Sequence, residues 1–144
     1  MATLFRYQPV ITPGPNGTDY QPLSEDLTFL CELDGFRYVS IPEGSIPEVP
    51  AELSTWEQIT LTPELRESIK TASHLCGLYR ERFVQTIRTK YSLDDELYFA
   101  RIATGTLIGS YVFQPGEAEL LAAYQADVEA AREVLHLHYT ELCL

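Results

Sequence analysis

No stretch of this chain carries the roughly 18 consecutive apolar residues that a membrane-spanning helix requires, and Met1 to Val10 lacks the unbroken apolar run of a secretory signal because Arg6, Gln8 and Pro9 interrupt it. The chain is therefore expected to be soluble and unexported. Positive charge is also scarce: ten Lys and Arg stand against 21 Asp and Glu, for a net charge of -11. That balance repels nucleic-acid phosphates and anionic membranes, so neither is expected as a partner. Cysteine is limited to Cys31, Cys76 and Cys143, an odd number at wide spacing that fits neither a disulfide framework nor a zinc ribbon. Free, mostly buried thiols are the expectation. Gly105 and Gly109 lack the lysine and further glycine of a phosphate loop. Asn16-Gly17-Thr18 matches a glycosylation acceptor, but without export it reads as an Asn-Gly turn. There is no internal repeat and no low-complexity tract.

What the chain does have is enough apolar content, 45% of 144 residues, for one proper core in a single domain spanning 1–144. Seven of its nine prolines fall in the first 50 residues, which rules out helix there and leaves short strands and extended loops. Leu4 to Ile11 is expected as an edge strand. Leu27 to Glu32 and Phe36 to Ile41 flank Leu33-Asp34-Gly35, the pattern of a tight hairpin. Pro42 to Pro50 reads as an extended connector, followed by a short strand around Trp56 and Ile59. Thr62-Pro63-Glu64 then opens a helix with a capping hydroxyl and a proline suited to the first helical position. Leu65, Ile69, Ala72, Cys76, Tyr79, Phe83 and Ile87 recur at steps of three and four, predicting one continuous helix of about seven turns.

Ser92 with Asp94, Asp95 and Glu96 restarts a shorter helix whose buried side is expected to be Leu93, Leu97, Ala100 and Ala103 or Thr104. Gly105 and Gly109 are expected to break it, with a strand or an irregular return over 106–114. A last helix runs from after Pro115-Gly116 to about Glu141, seamed by Leu121, Tyr124, Val128, Ala131, Leu135, His138 and Leu142. The fold class is thus α+β: a β- and loop-rich part over 1–61, then two long helices and one shorter helix over 62–144. The long helices are expected to pack within one chain, with pairing between copies in a homo-oligomer as the alternative.

For chemistry, the strongest metal candidate is Glu133 with His136, an E-x-x-H pair with His138 and Glu141 nearby, but a carboxylate-bridged centre needs a second such copy and there is none. Three acids at 94–96 suit a helix dipole as well as acid and base work. Cys76 belongs to the apolar stripe, and His74 two residues away points elsewhere on a helix. No catalytic, cofactor-binding or metal-ligating residue is assigned, and no cofactor is expected.

Charge is segregated along the chain. Residues 1–62 and 91–144 each carry a net -7, and residues 63–90 carry +3. Within that basic third, Arg66, Lys70, Arg80 and Arg88 fall on one helical face with the small residues Ser73 and Gly77 between them. This is a candidate docking stripe, where arginines would pair with carboxylates of a partner. Tyr7 and Tyr38, with Tyr20 and Phe36, are candidate partner-binding aromatics of the front third.

The run Thr86-Ile87-Arg88-Thr89-Lys90-Tyr91-Ser92-Leu93-Asp94-Asp95-Glu96-Leu97 through Arg101, followed by a helix with Tyr124, Val128 and Glu129, resembles small proteins encoded near the tail and tail-fibre genes of bacteriophages. The resemblance covers about 60 residues of the C-terminal half, and Thr104 to Gln114 is an added segment relative to it. It implies a virion or tail-assembly component, made in the host cytoplasm, whose partners are other virion or assembly proteins. A non-enzymatic structural or adaptor role is the leading expectation. An acidic inhibitor or nucleic-acid mimic comes second, and a small metal-dependent enzyme built on Glu133 and His136 third.

Overall fold

A computed structural model describes residues 1–144 and has the α+β class: a four-stranded antiparallel sheet followed by four helices. The hairpin comprises β2 (Thr28–Leu33) and β3 (Phe36–Ile41). Between them Asp34 and Gly35 take φ of 50° and 79°. Positive φ at both central residues defines the two-residue turn whose twist matches its strands, and Asp-Gly is among the few pairs that adopt it cheaply. β1 (Thr3–Tyr7) pairs along its whole length with β3, from Thr3 opposite Ile41 to Tyr7 opposite Arg37. Its other side meets β4 (Glu57–Gln58), so the order is β2-β3-β1-β4 and β1 is interior rather than the edge strand expected. The chain leaves the sheet before Pro9, which has no amide to contribute to a ladder. Residues 14–17 form the expected turn, closed by the Gly17 amide donating to Gly14 O at 3.1 Å.

Helix α1 (Pro63–Ala72) starts as the sequence predicts, with the Thr62 hydroxyl accepting from the Leu65 amide. The single seven-turn helix does not form. Ser73 takes extended backbone angles, its amide still donates to Ile69 O, and its buried hydroxyl accepts from the Cys76 amide at 3.3 Å. One residue thus ends α1 and caps α2 (His74–Lys90). Helix α3 (Leu93–Leu107) is opened by a capping box in which Ser92 and Asp95 satisfy each other's amides. It runs through Gly105 to Leu107, is capped by Ile108 and turned by Gly109, whose φ is 77°, and the segment after it is an irregular return. Helix α4 (Glu117–Glu141) has the expected bounds.

The chain divides into two compact units, Met1–Tyr79 with Leu137–Leu144 and Arg80–His136, so their limits fall within α2 and α4 even though secondary structure changes type at residues 61 and 62. In the first, Tyr7, Val39 and Leu53 form a buried cluster against Tyr20, Leu27 and Trp56, with Phe5 stacked on Trp56 at 4.8 Å. Leu4, Ile41, Ile69 and Cys76 are also fully buried, and α1 packs on β2. Burial pushes the Cys31 thiol up to about 11, the neighbouring Cys76 adding to the shift. In the second unit the core is Phe99, Ile102 and Leu121, with Tyr91, Tyr111, Phe113 and Tyr124 packed against it.

Candidate protein-interaction surface

The predicted docking residues are not presented together. Tyr7 and Tyr38 are only 3% and 4% exposed, so they belong to the core of the sheet and cannot meet a partner as expected. Ser73 is buried by its capping role, and because the helix breaks there, the 100° periodicity that aligned Arg66 and Lys70 with Arg80 and Arg88 does not carry across. Lys70 is half-buried, paired with Glu67 at 3.6 Å and lying 4.6 Å over the Tyr139 ring. Arg88 pairs with Glu96 at 3.8 Å. Gly77 is half-buried, and Arg66 and Arg80 remain exposed on α1 and α2.

Nor does a metal centre assemble. Glu133 and His136 lie on the exposed side of α4, and no group of three or more His, Cys, Asp or Glu side chains is placed to hold an ion. His138 sits in the seam and stacks on Tyr79, with centroids 4.6 Å apart and planes 13° from parallel.

The surface that stands out is on α3, and it arises from how the aromatic core orients that helix. Phe99 stacks on Tyr124 at 4.8 Å, and Tyr91 meets both rings edge-on, at 5.9 and 5.0 Å. Edge-to-face and offset-stacked pairs of this kind add stabilisation beyond their buried area. They turn Phe99 and Ile102 inward, so the side of the helix expected to be buried faces out. Leu93 and Leu97 are 56% and 55% exposed, and Leu107 and Ile108 at its end are 86% and 71% exposed. Counted on aliphatic residues alone, 93, 97, 100 and 104 make a seam, but the larger rings lie on the opposite side and bury more surface.

A polar anchor holds this arrangement. Glu117, in the first turn of α4, is buried, and its carboxylate accepts from the hydroxyls of Tyr98 and Tyr111 and from the Gln114 amide, the last two at 2.5 and 2.6 Å. It therefore ties α3, the return segment and the start of α4 to one another. The sequence reading missed Glu117; the available signal was a Glu three residues after Gln114 at a helix start, the spacing of a cap. At Gly105 a Cβ would sit 2.7 Å from the Tyr111 Cβ, so the return packs flat against α3 only where a side chain is absent. A second bridge joins α2 and α4: Asp127 accepts from Lys90 Nζ at 2.6 Å and from the Tyr91 hydroxyl at 2.5 Å. The Lys90 and Tyr91 donors hold the Asp127 carboxyl below its ordinary range, and Asp127 in turn raises both of them. The Tyr124 hydroxyl is raised chiefly by burial, with Glu96 adding to it.

No family model matches the chain, and neither does any curated protein or solved structure.

Proposed function

We propose that this protein is a non-enzymatic structural or adaptor component that acts through protein-protein contacts, in the setting of a phage tail, baseplate or tail-fibre complex. The observation that carries the contact role is the apolar exposure of the Arg80–His136 unit, where Leu93, Leu97, Leu107, Ile108, Val112, Leu120 and Val134 all face solvent. Scattered exposed apolar residues are ordinary, but in this unit nine large ones are exposed against five buried apolar residues, which favours a surface that another protein covers. The phage setting rests on the likeness of the run from Thr86 to Arg101 to small tail-region proteins.

Mass spectrometry of particles purified from the phage that encodes the chain tests the proposal. The protein should be recovered with tail proteins at fixed stoichiometry and should survive a high-salt wash, because apolar contacts are not screened. Absence from particles and from their assembly intermediates would contradict the adaptor role. Release at modest salt would instead favour an acidic inhibitor, whose -11 charge engages a basic site.

A further inference from the structure

We infer that the exposed face of α3 is a self-association surface, on which a second copy of this chain docks antiparallel about a two-fold axis passing beside Leu97. The inference rests on reading that face as an interface and names its occupant.

Leu93, Leu97, Ala100, Thr104 and Leu107 follow steps of four and three residues. That spacing keeps a seam facing a neighbouring helix. The seam's two flanks differ. On one, Glu96 pairs with Arg88 of the same chain at 3.8 Å. On the other, Asp94 and Arg101 are exposed, opposite in charge and in contact with no partner of their own. Seven residues apart, they sit two turns from each other and within about 20° around the helix.

A two-fold interface must be complementary to itself, each contact occurring twice. With the axis at Leu97, one copy's Leu97 meets the other's, and Leu93 lies opposite Ala100. Arg101 then comes level with Asp94 of the second copy, within about 1.5 Å along the helix axis at 1.5 Å of rise per residue. Both unpaired charges are satisfied by one operation, on the same flank. An unrelated partner would need its own matching pair of charges; a second copy supplies them already. The surface has room for the contact. Ala100, Arg101, Thr104 and Ile108 border an open groove of about 520 Å³, where the small side chains of Ala100 and Thr104 leave space for the incoming Leu93. One helix-on-helix contact falls near the low end of stable interfaces, about 1,200 Å² in total, so the dimer should dissociate on dilution.

Sedimentation velocity of the full chain from low micromolar to several hundred micromolar tests this. The expected result is a monomer-dimer equilibrium that Leu97→Glu abolishes, by placing two carboxylates at the axis. Arg101→Asp alone and Asp94→Arg alone should each weaken it roughly tenfold or more through like-charge juxtaposition. The double exchange Asp94→Arg with Arg101→Asp should restore it, with circular dichroism confirming that every variant keeps its helix content. A wild-type chain that stays monomeric throughout would overturn the inference while leaving the adaptor role standing. A dimer indifferent to Leu97→Glu, or one that the double exchange fails to restore, would overturn it as well. Absence of the protein from phage particles would remove the adaptor role without touching the dimer.

Discussion

In the unit built on the sheet, fourteen apolar residues are buried and seven large ones are exposed, whereas in the Arg80–His136 unit five are buried and nine exposed. Both units carry polar bridges over their apolar cores, but in different proportion. The sheet unit encloses Leu4, Val39, Ile41 and Ile69 fully and adds ion pairs of Arg37 with Asp19 at 2.9 Å and of Arg6 with Glu57 at 2.6 Å. The helical unit has a thin aromatic core and supplements it with carboxylates anchored by tyrosines and a lysine, Glu117 and Asp127. A hydroxyl-to-carboxylate bond fixes geometry and direction, where apolar burial is indifferent to orientation. The helical unit is thereby held in shape while much of its apolar surface stays open.

Substitutions should separate the two units in order of size. Ile69→Ala, at a site with no exposure, should cost about 2–5 kcal/mol in a urea titration, while Leu97→Ala on the open face of α3 should stay within about 0.5 kcal/mol for the dissociated monomer. Equal costs would mean that the α3 face is core after all. Glu117→Ala should cost about 2 kcal/mol, because it leaves two tyrosine hydroxyls and the Gln114 amide without their acceptor. Its effect should centre on the near-ultraviolet tyrosine signal of the helical unit.

Gly105→Ala should also destabilise, by about 1 kcal/mol measured from the thermal midpoint. Ala in a helix interior normally gains about that much over Gly, but here its Cβ meets the Tyr111 Cβ at 2.7 Å and overpacking costs about 1–3 kcal/mol. A stabilised variant would show that the return segment does not pack on α3.

The smallest effect concerns pH. Asp127 is held below its ordinary value by Lys90 and Tyr91, so its contribution is present above the unfolded carboxylate value and disappears as pH falls through the lower folded one. Asp127→Asn should therefore be less stable than the parent near neutrality, and the difference should close in acid. A gap that widened on acidification would mean that Asp127 is unpaired.

Local chemistry explains which parts of this fold were legible in the sequence. Asp34-Gly35 specifies its turn by φ alone, and the α4 seam from Leu121 to Leu142 is a period that packing preserved. The break at Ser73 was hidden because no Pro or Gly marks it and the apolar steps run straight through; a buried hydroxyl does the work of the cap. Aromatic residues in a Pro-rich segment look adhesive in the sequence, yet Tyr7 and Tyr38 lie inside, on the paired strands β1 and β3. The seam of α3 is visible in the sequence, but it faces solvent. Which side a seam faces is decided by rings from other elements, Tyr91 and Tyr124, that no local period reveals.

The central claim, that the sheet unit is complete and the helical unit awaits a partner, is tested most directly by amide hydrogen exchange on the full chain at two protein concentrations. In dilute solution α3 should exchange faster than β1 and β3, and at high concentration α3 alone should slow as its face is covered. Uniform protection across sheet and helices, unchanged by concentration, would contradict the claim.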